Sequence, residues 1–119
     1  MRQDPRLPTA CNVLRVLAYA QLQNNQPHNA RILLAALDQL GHLDVRSRAM
    51  KALAELRDGA PGVALATLRD GADKGEEISL FHLIRAQAYM KQGQATLARA
   101  AMQRYISLRS QGAANATGT

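Results

Sequence analysis

The chain has 119 residues, enough for one small domain with a single hydrophobic core. Hydrophobic residues make up 47% of it and charged residues 20%, which is typical of a globular chain rather than a disordered one. Aromatic residues are only 3%, which disfavours a β-sandwich and suits thin, closely packed helices. The formal net charge is +6, but the basic residues are scattered and no aromatic residues alternate with them, so we expect no nucleic-acid partner.

Residues 1–10 precede the first repeated pattern and are expected to form a short lead. They contain no apolar run of the signal-peptide kind, and no stretch of the chain has the length of a membrane span. The single cysteine, Cys11, cannot form an internal disulfide, and no cysteine–histidine spacing indicates a metal site. We therefore expect a cytoplasmic protein that does not insert into a membrane.

An internal repeat of 34 residues organises the rest of the chain. Residues 17–40 and 85–108 align at twice that offset, and a middle copy lies midway between them. Three copies fill residues 11–44, 45–78 and 79–112 as a single domain, and we expect the polar tail at 113–119 to be disordered. The repeated positions are Ala18, Ala52 and Ala86 in the first half of each copy, Asn25, Gly59 and Gly93 at its middle, and Ala30, Ala64 and Ala98 in its second half.

This period and these positions resemble the tetratricopeptide repeat, a helix–turn–helix unit. The predicted fold class is all-α, with three tandem helical hairpins forming a short right-handed solenoid. The small residues fit where the two helices of a hairpin cross, and Gly or Asn at the turn tolerates a positive φ. The helices are expected at about 10–24, 27–40, 44–58, 61–70, 76–92 and 95–110.

Local signals refine these boundaries along the chain. Pro27 and Pro61 lie at the start of the second and fourth helices, where a missing N–H does no harm. Asp44 is a candidate N-cap for the third helix. Gly71 is expected to end the fourth helix early, and Asp73 with Glu76 to form a capping box before the fifth.

No residue pattern indicates catalysis. His28 and His42 are expected on the solvated surface, and His82 is expected to be half-buried in a structural role. Since the sequence also contains no phosphate-binding loop, triad order or metal motif, we expect no enzyme activity, no catalytic residue, no cofactor and no metal.

Stacked helical hairpins present an extended concave face that binds partners, and the first helix of each hairpin lines it. The corresponding stripe has an apolar centre and a basic edge, which fits an amphipathic helix or an extended peptide that carries acidic residues. In this stripe Val16, Met50 and Ile84 are assigned to the core between hairpins. The candidate partner-binding residues are Arg15, Tyr19, Leu22, Ala49, Leu53, Leu56, Arg57, Leu83, Gln87 and Met90.

Beyond the repeat, the particular residues resemble the YscY-type chaperones of bacterial type III secretion systems. The resemblance lies in the Ala-Arg-Ile-Leu-Leu run at 30–34 and in a closing pattern made by Arg85-Ala86, Gly93, Ala98-Arg99 and Tyr105. It implies a cytoplasmic chaperone that binds a small, early-secreted export component of the YscX type as a heterodimer. It also implies that the chaperone presents this component to the export gate at the inner membrane.

Two other functions fit the same sequence features. One is a chaperone of the same architecture that serves needle subunits or translocators, although translocator chaperones carry a longer N-terminal helical segment than the lead here. The other is a generic tetratricopeptide scaffold for protein–protein interaction.

Overall fold

A computed structural model describes residues 6–117, with side chains for residues 6–112. This part of the chain is entirely helical, with no strand, so the prediction of an all-α fold is confirmed. None of the described helices is long and apolar enough to cross a membrane. The helices are α1 (Leu7–Gln23), α2 (Pro27–Gln39), α3 (Val45–Arg57), α4 (Pro61–Asp73), α5 (Ser79–Lys91) and α6 (Ala95–Thr117).

The turns within each helix pair follow the predicted chemistry. Pro27 and Pro61 are the first residues of α2 and α4. Asn25, Gly59 and Gly93 adopt φ angles of 56°, 84° and 74°, in the left-handed region that Gly and Asn enter most easily. These three-residue connections fold the helices into the pairs α1–α2, α3–α4 and α5–α6.

The predicted cap of α3 is confirmed, whereas the predicted capping box is wrong. The Asp44 carboxylate accepts a hydrogen bond from the Ser47 backbone N–H at 2.8 Å. Asp73 instead is the last residue of α4, and α5 begins only at Ser79 without a side-chain cap. The Glu76 carboxylate does not cap α5 but accepts a hydrogen bond from Arg48, with Oε1 at 2.8 Å from Arg48 Nε.

Four helix ends differ from the sequence-based expectation by three residues or more, and one of them is the start of α5 at Ser79 described above. α1 begins at Leu7, inside the predicted lead, and α4 runs on through Gly71 to Asp73. α6 continues to Thr117, so residues 113–117 of the tail expected to be disordered are helical. The remaining residues of the predicted lead and tail, 1–5 and 118–119, lie outside the described part.

Neighbouring pairs pack through the first helix of the later one. α3 contacts both α1 and α2, and α5 contacts both α3 and α4. Within the described chain, α6 contacts only α5. The helices therefore form a row of three hairpins, of which the third has one fewer neighbour than the second.

The apolar residues separate into two buried clusters, and each joins one hairpin to the first helix of the next. The first cluster contains Cys11, Ala18, Leu22, Ala30, Leu34, Leu37 and Ala54, with Met50 packed against it. The second contains Ala49, Ala52, Leu56, Ala64, Leu68, Phe81, Ile84 and Ala88. Residues of α3 therefore close the first hairpin, and residues of α5 close the second.

Candidate partner-binding site

A cavity with a volume of about 960 Å³ lies on the third hairpin of the described chain. Its walls come from the facing sides of α5 and α6, from the C-terminal end of α3 and from the turn after α1. The lining residues are Asn25, Leu56, Arg57, Ala86, Gln87, Met90, Lys91, Ala95, Ala98, Arg99 and Met102. This volume lies within the range of about 300–1,000 Å³ that is typical of ligand-binding pockets.

The floor of the cavity is apolar because of the residues at the α5–α6 crossing. Ala86 and Ala98 are nearly fully buried there, at 2% and 4% exposure. Their methyl groups let the two helices approach closely, and the longer side chains of Met90 and Met102 also line the cavity. Met90 is 63% exposed. A long, flexible thioether side chain at such a site adapts to the shape of a ligand.

Every charged residue that lines the cavity is basic. Arg57, Lys91 and Arg99 belong to three different helices, and no carboxylate lies among the lining residues. None of the three forms an ion pair within the described part of the chain. Arg57 donates only to the carbonyl oxygen of Leu22, at 3.5 Å. The cavity thus combines an apolar floor with uncompensated positive charge.

Several of the residues predicted from the sequence line this cavity. Leu56, Arg57, Gln87 and Met90 come together at its α3 and α5 walls. Leu56 is also 4% exposed and belongs to the second core cluster, so it supports the fold as well as the wall.

Four other predicted residues are buried or half-buried away from the cavity. Leu22 and Ala49 are buried members of the first and second clusters. Leu53 is half-buried against the second cluster, and Leu83 is half-buried on α5. None of these four side chains lines the cavity.

Arg15 and Tyr19 also lie away from the cavity. Arg15 holds the α2–α3 loop, since its Nη2 donates to the His42 carbonyl oxygen at 2.7 Å and its Nε to Ser47 Oγ at 3.1 Å. Tyr19 is 57% exposed on α1. The expectation that Val16 is core is wrong, because it is 67% exposed, whereas Ile84 is buried as expected.

Sequence reasoning missed the α6 wall of the cavity. It placed partner binding on the first helix of each pair, whereas Ala95, Ala98, Arg99 and Met102 come from the second helix of the third pair. One signal was available, because Arg99 repeats Arg31 at twice the 34-residue period. The repeat alone did not reveal that Arg31 pairs with Asp58, whereas Arg99 lines the cavity.

The histidines lie outside the cavity. His28 is exposed, with Nδ1 at 3.3 Å from Asp58 Oδ2, and His82 is half-buried, with Nε2 at 2.8 Å from Glu77 Oε1. His42 is half-buried rather than on the solvated surface. The hydrogen bond from His82 lowers the pKa of the Glu77 carboxyl. No group of three or more potential metal ligands occurs among the described residues.

Asp58 links the first hairpin to α3 near the Asn25 end of the cavity. It is the C-cap residue of α3, and its Oδ2 accepts from Arg31 Nη1 at 2.9 Å. This hydrogen bond, together with that from His28, lowers the pKa of the Asp58 carboxyl below 3.8. The contact between the first hairpin and α3, here called the first joint, therefore includes a charged Arg31–Asp58 pair at neutral pH.

No protein-family model matches the chain, and the comparison with curated proteins gives no significant match.

Proposed function

We propose that this chain is a protein-binding chaperone whose cavity takes an apolar, acidic segment of a partner protein. The observation that carries the proposal is the cavity of about 960 Å³ with an apolar floor and no charged lining residues other than Arg57, Lys91 and Arg99. A concave, mainly apolar pocket with a few polar groups around it is the usual form of a binding site. The three cations around it form no ion pair with any described residue, which favours a partner that carries carboxylates.

We interpret the three hairpins as tetratricopeptide-like units. Support comes from the helix positions, since α4 and α6 begin 34 and 68 residues after α2, and α5 begins 34 residues after α3. The buried alanines at the hairpin crossings also recur with this period. Proteins of this architecture bind extended or helical segments of other proteins.

Within this class, the chaperone is proposed to be of the YscY type and to act in bacterial type III secretion. The support is the sequence resemblance at residues 30–34 and 85–105 together with the cavity. The partner is then a small secreted export component of the YscX type, bound as a heterodimer in the cytoplasm and presented to the inner-membrane export gate. Binding alone performs this function, and no chemical step is required.

The test is co-expression of the chain with the YscX-type component encoded in the same secretion gene cluster. We expect a stoichiometric complex and a higher melting temperature than that of the free chain, since a ligand that binds only the folded state stabilises it. Met90→Glu places a charge at an exposed lining position, so the variant should keep its helicity and lose the complex.

Val63→Glu is the matched control. Val63 is a 45% exposed aliphatic residue on α4 that does not line the cavity, so this variant should keep both helicity and partner. A complex that forms normally with the Met90→Glu chain would contradict binding at the cavity. If the co-expressed component does not bind the unmodified chain, the YscY-type assignment is wrong.

A further inference from the structure

The cavity occupies the place where the first two hairpins have a closed core. In the first hairpin the four positions that surround the helix crossing all belong to one buried cluster, and the same is true of the second. In the third hairpin the equivalent four positions all line the cavity. The three sets are Ala18, Leu22, Ala30 and Leu34; Ala52, Leu56, Ala64 and Leu68; and Ala86, Met90, Ala98 and Met102.

A helix closes each of the first two cores. Met50 and Ala54 of α3 pack on the first hairpin, and Ile84 and Ala88 of α5 pack on the second. In both cases a large aliphatic residue is followed four positions later by alanine, so both side chains lie on one face of the helix. No helix of the described chain packs on the third hairpin in this way.

At the first of the two closed joints, where α3 packs on the first hairpin, an arginine is paired with a carboxylate. Arg31 on α2 pairs at 2.9 Å with Asp58, which follows Met50 by eight residues. At the second joint the equivalent residues are Leu65 and Gln92, neither of which is charged. At the third hairpin the position of Arg31 is taken by Arg99, which forms no ion pair within the described chain.

We propose that the partner segment is an α-helix that stacks on α5 and α6 in the way that α3 stacks on α1 and α2. This inference rests on the proposed function and names the chemistry of the partner. Its helix carries a large aliphatic residue, a small residue four positions later, and a carboxylate eight positions later that pairs with Arg99. A helix is required because it spaces these three residues over about 12 Å, as α3 does. An extended strand would also place them on one face, but it would spread them over about 26 Å.

A second copy of the chain meets only part of this requirement. Its α1 has Val16 and Ala20 at the positions of Met50 and Ala54, and Val16 is 67% exposed. At the position of Asp58, however, it has Asn24, which leaves Arg99 without a carboxylate. The charge of the site therefore favours a different protein over self-association.

The chain's own α3 supplies the probe. We use a fluorescein-labelled peptide of residues 44–59 in which Arg46, Arg48 and Lys51 are replaced by glutamine, which leaves Met50, Ala54 and Asp58 in place and makes the peptide acidic. We expect it to bind the full chain in a fluorescence-anisotropy titration and to gain helicity by circular dichroism when bound. Met90→Glu in the chain should abolish this binding.

The carboxylate is tested by a double-mutant cycle. Asp58→Asn in the peptide should weaken binding to the unmodified chain about fivefold, the effect of one partly exposed ion pair. The same change should have no effect on binding to the Arg99→Ala chain. The control is Arg104→Ala, which removes an α6 cation outside the cavity and should leave the response to Asp58→Asn intact.

Three results would overturn the inference. The first is an equal response of the Arg99→Ala and unmodified chains to Asp58→Asn, and the second is binding without a gain of helicity. The third is self-association of the free chain that Val16→Glu abolishes, since α1 of a second copy would then fill the cavity. If the peptide binds without gaining helicity and Met90→Glu still prevents that binding, the proposed function would stand, and only the helical conformation of the partner segment would be excluded.

Discussion

At the scale of single residues, Gly71 makes room for a buried ion pair. The Arg48 side chain is 4% exposed and lies across α4 on its way to Glu76. A Cβ atom at Gly71 would meet Arg48 Cδ at 2.6 Å and the Phe81 ring at 3.0 Å. Gly71 therefore serves as a close-approach position within α4, and not as the helix end that its residue type indicates.

Gly71→Ala should destabilise the protein for this reason. The added methyl group must displace Arg48 or Phe81, and overpacking of this kind costs about 1–3 kcal/mol. Urea unfolding followed by circular dichroism measures the change. Gly62→Ala is the control, because its Cβ would meet only the end of the Gln92 side chain at 3.5 Å. In that variant the lower backbone entropy of the unfolded chain should leave stability unchanged or raised; equal losses in both variants would refute the steric account.

At the scale of elements, α3 is the helix on which both clusters depend. Ala54 belongs to the first cluster, while Ala49 and Ala52 belong to the second, and all three are at most 1% exposed. Small side chains on both sides allow α3 to pack closely against the first hairpin on one side and against the second cluster on the other. This explains the alanines at these three positions of α3.

Ala52→Leu should therefore destabilise the protein by about 1–3 kcal/mol, since Ala52 is fully buried in the second cluster and the larger side chain must displace its neighbours. Ala66→Leu on the exposed face of α4 makes the same chemical change outside the core and should leave stability nearly unchanged. Thermal melting of both variants gives the comparison. A melting temperature of the Ala52→Leu variant equal to that of the unmodified chain would mean that Ala52 is not at a tight crossing.

At the scale of the whole molecule, the row of hairpins has apolar surface at both of its described ends. On α1, Val13, Val16 and Leu17 are 49%, 67% and 45% exposed. Two of their equivalents on α5, Phe81 and Ile84, are buried against the second hairpin. At the other end the third hairpin opens into the cavity. Stacking therefore buries the middle of the row most completely.

The joint between the first hairpin and α3 should respond to acid. The pKa of Asp58 is below its ordinary value of 3.8 in the folded state, so its contribution to stability is complete above that pH. This contribution is lost as the pH falls from 3.8 through the lowered folded pKa. Asp58→Asn should therefore unfold at lower urea concentration than the unmodified chain at neutral pH, and the two midpoints should converge in acid.

Asp70→Asn is the control for this comparison. Asp70 is an exposed carboxylate on α4 that makes no ion pair in the described chain. Its midpoints should follow those of the unmodified chain at every pH. A constant difference between the Asp58→Asn and unmodified chains down to the lowest pH would show that the ion pair is not the cause.

The sequence by itself determined the helices, their pairing within hairpins and the residues at the crossings. These features depend on local chemistry: Pro27 and Pro61 at helix starts, Gly59 and Gly93 at turns, and alanine spaced at a fixed period. Interactions between residues close in the chain decide them, so a single sequence with an internal repeat is enough. The same reasoning found the α3 and α5 walls of the candidate site through Leu56, Gln87 and Met90.

Only the tertiary structure decided where the repeated residues differ in surroundings. Leu22, Leu56 and Met90 hold one repeat position, yet the first two are at most 7% exposed and the third is 63% exposed. In the same way, Arg31 has a carboxylate partner, whereas Arg99 pairs with no carboxylate of the described residues. The physical reason is that burial depends on the neighbouring hairpin, and α6 has no neighbour in the described chain other than α5. A repeat in sequence specifies equivalent positions, whereas the order of stacking determines which of them remain open to a partner.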